Sequence, residues 1–305
     1  MDRKGARALL EKPLPELIAL ADKIRRDCVG DRIELCNIMN AKSGLCAQDC
    51  KFCAQSCRYK TGINTYPLKS IDEMLAAALR AKEIGAERFD IVTSGNTLSG
   101  DELKRIADAI SLVKNRVGIK ICASLGRLSE EDLLFLKSAG LGRYHHNLET
   151  SPRYFSAITT THTFKDRLET IRAAKKAGLE VCSGGIVGLG ESWDDRIDLA
   201  FTLRDLDVIS VPINILVSIK GTPLDMTPRL AAIDAVKTIA IFRIILRDKT
   251  IKVAAGRESV LKDFQAMAFM AGANGMLIGG YLTIKGRSVD EDRAFVEEVE
   301  KAWKA

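Results

Sequence analysis

Four of the chain's eight cysteines lie close together, in Cys46-Ala-Gln-Asp-Cys50-Lys-Phe-Cys53 and then Cys57. The first three have the spacing C-x3-C-x2-C, with Phe52 immediately before the last thiol. Three thiolates in one loop can hold three corners of a 4Fe-4S cube and leave the fourth iron free to bind a substrate. Two other chemistries use the same residues. All four cysteines can close an electron-transfer 4Fe-4S cluster, or they can ligate one structural zinc ion tetrahedrally. Cys122, in Lys120-Ile121-Cys122-Ala123, and Cys182, in Glu180-Val181-Cys182-Ser183, fall in strand-like runs. There they are either ordinary buried thiols or ligands of a second iron-sulfur centre, to which Cys36 also belongs or against which it packs.

The elements that must position these thiols are short apolar runs alternating with amphipathic stretches. Strands are expected at 34–41, 88–93, 118–123, 143–148, 180–187, 209–217, 251–255 and 275–279. Between them, Ser70/Glu73, Ser99/Glu102, Ser129/Asp132, Ser192/Asp195 and Ser288/Glu291 have the capping-box spacing that opens a helix. Gly85, Gly140 and Gly178 stand where helices should stop. Eight β-α units of ~30 residues, without a linker or composition break, predict an α/β fold with one (β/α)8 TIM-type barrel. A helical extension over 1–33 precedes it, the barrel runs over 34–292, and a C-terminal helix over 288–305 packs on it. An open doubly wound sheet is the alternative. In a barrel, strand C-terminal ends and βα loops face the chemistry, which puts Cys46, Cys50 and Cys53 at the mouth and strand cysteines in the lumen.

The 305 residues are 47% hydrophobic and 28% charged, values of an ordinary globular chain rather than a disordered or fibrous one. A net charge of +6 is spread along the chain, which argues against nucleic acid and leaves an anionic small ligand open. No run of 18 apolar residues occurs and the start is charged, so neither membrane nor secretion is expected and the location is cytoplasmic. Thiols are kept reduced there, which favours metal ligation over disulfides.

Beyond the cysteine motif, the chain resembles the biotin synthase family of radical S-adenosyl-L-methionine enzymes from about residue 34 to 292. The similar segments include Arg58-Tyr59-Lys60-Thr61-Gly62, Tyr144-His145-His146-Asn147-Leu148-Glu149-Thr150-Ser151, Val181 to Glu191, Val211-Pro212-Ile213-Asn214, Lys220-Gly221-Thr222-Pro223-Leu224, Ala255-Gly256-Arg257-Glu258 and Phe269 to Asn274. The resemblance implies a radical sulfur insertion that converts dethiobiotin to biotin, with electrons from a flavodoxin or ferredoxin, in a homodimer. It implies that Cys46, Cys50 and Cys53 hold the 4Fe-4S cluster that binds S-adenosylmethionine. By position, Phe52, Asn147, Glu149, Arg167, Gly185 and Val187 match the cofactor-binding residues, and His145, Asn147 and Asn214 the substrate-binding ones.

The sequence departs from the family pattern in the lumen. The better known members hold a 2Fe-2S auxiliary cluster with three strand cysteines and one arginine. Here Cys122 and Cys182 match two of the cysteines, but Asp90 and Lys252 stand at the other two positions. A protonated lysine cannot ligate. Cys57 is additional, so the auxiliary Fe-S cluster is assigned to Cys57, Cys122 and Cys182, as a four-iron cluster with an extra sulfide, with Cys36 in reserve. Competing functions are a related radical enzyme, like methylornithine synthase or the hydrogenase-maturation enzymes, and a non-catalytic iron-sulfur or zinc protein.

Overall fold

The computed structural model describes residues 1–283 and 286–305. Nine parallel segments form one sheet in the order β5-β4-β3-β2-β1-β9-β8-β7-β6. They are β1 (Glu34–Lys42), β2 (Arg88–Thr93), β3 (Lys120–Ser124), β4 (Arg143–His145), β5 (Glu180–Cys182), β6 (Gly185–Val187), β7 (Ser210–Ile215), β8 (Thr250–Val253) and β9 (Gly275–Leu277). A further pairing of β5 with β7 closes the sheet into a barrel. β5 and β6 are the two halves of the strand expected over 180–187, so the barrel has eight strand positions. The break falls at Ser183-Gly184, where a Cβ on Gly184 would sit 1.9 Å from the Pro212 carbonyl oxygen. Only glycine lets β7 approach so closely.

Around the barrel run α3 (Ile71–Glu83), α4 (Gly100–Arg116), α5 (Glu130–Ala139), α6 (Phe155–Ile158), α7 (Phe164–Lys176), α8 (Trp193–Asp205), α9 (Ala232–Leu246) and α10 (Gln265–Met270). α1 (Arg3–Ala8) and α2 (Leu14–Val29) precede the barrel and α11 (Val289–Lys304) follows it. All five expected capping boxes form, and Thr163/Asp166 adds a sixth at the start of α7. α9 is apolar around nearly its whole circumference because α2 and α8 cover the sides that the barrel does not. The two ends of the chain meet where Trp303 of α11 lies 3.8 Å from the Arg25 guanidinium of α2, a cation–π contact in a buried setting. Among the described residues no helix is long and apolar enough to cross a membrane.

Candidate active site

Strand parity decides what the lumen contains. On β1, Cys36 and Ile38 face inward; on β2, Arg88 and Asp90; on β3, Cys122 and Ser124. The register places Asp90 beside Cys122 and Cys182 beside His145. Lys252 lies opposite Gly275, where a side chain would meet the lysine stem at 2.6 Å, so the glycine makes room for it. The result is a cavity of about 400 Å³ lined at the loop face by Cys46, Cys50 and Cys53 and deeper in the barrel by Cys36, Cys122 and Cys182.

The cysteine loop follows β1 and is tied at both levels of its backbone. The Cys57 N–H donates to the Cys46 carbonyl at 2.8 Å and the Cys53 N–H to that of Cys50 at 2.9 Å. Burial pushes the Cys50 thiol up to about 11 and the Cys53 thiol up to about 12. Such thiols ionise when a metal takes the place of the proton. No three His, Cys, Asp or Glu side chains among the described residues converge closely enough to hold a single metal ion. Thiolates around a polynuclear cluster each reach a different iron and stand farther apart.

The floor of the cavity is ionic. Glu34 accepts from Lys252 Nζ at 2.8 Å, Arg88 Nε at 2.9 Å and Arg143 Nη1 at 3.1 Å. Burial alone would raise the Glu34 pKa, but Lys252 and Arg143 outweigh it and hold the carboxyl well below its usual range. Lys252 Nζ is also 2.8 Å from Cys36 Sγ. Burial raises Cys36 to about 11 and drives Cys122 higher still.

Above the floor, His145 Nδ1 is 2.9 Å from Asp90 Oδ2 and Nε2 is 3.0 Å from Asn147 Oδ1. That amide oxygen also accepts the Gly184 N–H at 3.1 Å, so it is an acceptor toward His145 as well. With acceptors on both ring nitrogens the imidazole is a cation. Burial disfavours the charge, yet Cys182 and Asp90 raise the pKa to about 9. Arg167 donates to the Asn147 carbonyl at 2.8 Å and stands 3.6 Å from Glu149 Oε1. Glu149 itself is in the left-handed region at φ +67°. A non-glycine residue held there stores strain, which is common where a side chain must be aimed at a ligand. Four buried atoms of residues on this cavity have no hydrogen-bond partner among the described residues: Thr93 Oγ1, His146 Nε2 and the acceptors Asp90 Oδ1 and Glu149 Oε2. Unsatisfied buried acceptors of this kind mark places that a ligand or its hydroxyls complete.

Several sequence expectations meet a different arrangement. Cys57 does not join Cys122 and Cys182: it is exposed and absent from the cavity wall, because its segment turns back outside the loop. The third lumen thiol is Cys36, carried inward by β1. Val187 is packed into the core, and Ile186 takes the place on the cavity. Gly185 answers to the protein backbone: a Cβ there would lie 2.4 Å from the Glu149 carbonyl oxygen, which accepts the Ile186 N–H at 2.8 Å. Phe52, His145, Asn147, Glu149, Arg167 and Asn214 all line the cavity. Asn214 is oriented by Nδ2 donating to the Gly185 carbonyl and Oδ1 accepting the Ala255 N–H, both at 3.2 Å. Sequence reasoning misses Gln48 and His162 of the mouth and Arg88 and Arg143 of the floor. Only the arginines left a signal, since each lies on an inward parity of an expected strand.

Residues 42–203 match the Radical SAM superfamily, and residues 212–300 match the Biotin and Thiamin Synthesis associated domain. The biotin synthase of Thermotoga neapolitana is 58% identical over 267 residues, covering 87% of this chain and 95% of that protein. That of Thermotoga petrophila is 52% identical, covering 95% of this chain and 96% of its own. Among solved structures, a methylornithine synthase superposes with a TM-score of 0.85 at 21% identity, covering 97% of this chain and 92% of that one. The FeFe-hydrogenase maturase of Carboxydothermus hydrogenoformans does so with 0.83 at 18%, covering 98% and 74%. At those identities the two structures share the fold alone. The two domain matches run in the order that the barrel requires, and the Thermotoga sequences align over nearly their full length: this chain belongs to the biotin synthase family.

Proposed function

We propose that the chain inserts one sulfur atom between two unactivated carbons of dethiobiotin, giving biotin, with Cys46, Cys50 and Cys53 holding a 4Fe-4S cluster and Cys36, Cys122 and Cys182 an auxiliary iron-sulfur cluster. When bound, the first supplies the electron that cleaves the sulfonium of S-adenosylmethionine, and the second supplies the sulfur. The observation that carries the reading is that two sets of three thiols share one cavity, at its mouth and in its depth. The unpartnered Glu149 Oε2 is free to accept ribose hydroxyls, and the Arg167 guanidinium to pair with a carboxylate. Asn214, which keeps a second N–H and a second lone pair, presents hydrogen-bonding groups to the ureido ring of dethiobiotin between the two thiol sets, while His145, with both ring nitrogens taken, holds Asn147 and Asp90 beside it. The surrounding barrel excludes water from the reacting centre. Lys252 faces the lumen as an N–H donor, so it neutralises charge rather than ligating. Asp90 is engaged by His145 through one oxygen and keeps the other free.

The same reading places the protein in the cytoplasm as a homodimer that draws electrons from a flavodoxin or ferredoxin. Anaerobic turnover with dethiobiotin, S-adenosylmethionine and a low-potential reductant tests the reaction. Biotin detected by mass supports it. Formation of 5′-deoxyadenosine without biotin overturns the assigned substrate.

A further inference from the structure

The segment from Thr159 to Thr163, between α6 and α7, grips the cysteine loop from outside. Asp49, between Cys46 and Cys50, accepts the hydroxyls of Thr159 at 2.7 Å and Thr161 at 2.9 Å. It also accepts the backbone N–H groups of Thr160 at 2.9 Å and Thr161 at 3.1 Å. Next to this cradle, His162 lies between two groups that line the cavity. Its Nδ1 is 3.0 Å from Gln48 Oε1, and its Nε2 is 3.1 Å from Arg167 Nη2 and 3.3 Å from Arg167 Nε. A guanidinium only donates, so Nε2 is the bare acceptor and Nδ1 carries the proton given to Gln48. The ring is buried, with the edge-to-face ring of Phe155 5.5 Å away.

Arg167 is therefore held on two sides. On one, His162 accepts from two of its nitrogens. On the other, the Asn147 carbonyl takes Nη1, and Glu149 stands at 3.6 Å, too far for a close hydrogen-bonded pair. Without the imidazole no hydrogen bond on the His162 side would oppose the pull of Glu149 on the guanidinium, leaving only the weaker hold of the Phe155 ring 5.7 Å away, and closure of the pair would take both groups from a ligand.

We propose that His162 is a positioning residue for S-adenosylmethionine: a neutral imidazole that ties the cysteine loop, through Gln48, to Arg167 and holds Arg167 apart from Glu149. Burial and the neighbouring Arg167 both disfavour a charge on the ring, pushing its pKa down to about 4, in keeping with the acceptor role. The inference rests on the reading that Arg167 contacts S-adenosylmethionine.

The test uses the anaerobically reconstituted full chain and three replacements. His162→Ala removes the ring, His162→Phe keeps the volume without hydrogen bonds, and His162→Gln keeps one acceptor and one donor. S-adenosylmethionine is titrated against the electron paramagnetic resonance signal of the reduced loop cluster, alongside iron content and steady-state turnover. The Ala and Phe variants should bind S-adenosylmethionine about tenfold more weakly, with raised KM, iron content unchanged and kcat within about twofold, and Gln should restore binding. Unaltered binding in Ala and Phe, equal weakness in Gln, or a loss of iron without weaker binding would each overturn the inference. Arg167→Ala is the control for the reading beneath it. If that variant binds S-adenosylmethionine as the parent does, the role given to Arg167 fails, whatever His162 shows.

Discussion

Lys252 Nζ lies 2.8 Å from the sulfur of Cys36, and its other close partner is Glu34 Oε1, also at 2.8 Å. One buried ammonium thus joins a candidate ligand to the ionic floor, and the lumen cannot be altered at either point without affecting the other.

Cys36 and Cys57 give opposite expectations. Cys36→Ala should lose the auxiliary iron and sulfide, keep the loop cluster, and reduce biotin yield by at least about tenfold while 5′-deoxyadenosine still forms. Cys57→Ala should keep both clusters and near-parental yield, since that thiol is exposed and off the cavity. Iron and sulfide counts with product analysis decide between them.

Lys252→Met removes a cation from Glu34 and a donor from Cys36. Arg88 and Arg143 still pair with the carboxylate, so the cost should be that of lost charged hydrogen bonds, about 1–3 kcal/mol, not that of a stranded buried charge. Urea unfolding of the metal-free protein measures it. A more stable variant would show that Lys252 is retained for the cluster alone.

Gly185→Ala should destabilise by about 1–3 kcal/mol, because its methyl would sit 2.4 Å from the Glu149 oxygen and 2.7 Å from Leu199 Cδ2. Relief of that clash moves Glu149, so weaker S-adenosylmethionine binding should accompany the lower Tm. A Tm equal to the parent's would contradict the close approach described.

Asp195 sets an acid limb of stability. Burial alone would raise its pKa, but Ser151 Oγ at 2.6 Å, Ser192 Oγ at 2.7 Å, the Ser192 N–H at 2.9 Å and Arg153 hold it below the ordinary value. The folded pKa lies below the unfolded one, so the stabilisation is complete above about pH 4 and is lost as pH falls through the folded value. Asp195→Asn should be less stable near neutrality by about 1–3 kcal/mol, with a flatter acid limb. Unfolding midpoints measured between neutrality and acid check both.

All eight strand positions were legible because each holds buried apolar residues, such as Phe89 and Ile91 or Ile251 and Val253, between helices whose starts the capping boxes mark. The break in the fifth was not: the reason for Gly184 is Pro212, a residue on β7 far along the chain. Parity within one strand was also readable. Counting in twos from Cys182 reaches Ile186 rather than Val187, and from Ile38 it reaches Cys36. The assignment of Cys57 rested on its being a cysteine additional to the family pattern, whereas membership of the lumen depends on which face of a strand a residue occupies. The grip of Thr159 to His162 on Asp49 and Gln48 joins residues more than a hundred positions apart, with no spacing pattern to announce it.

Glu34 binds cations that come from β2, β4 and β8, three separate staves of the barrel. Parting any one of them from the carboxylate leaves the other two with diminished compensation, so that end of the barrel resists opening piecemeal.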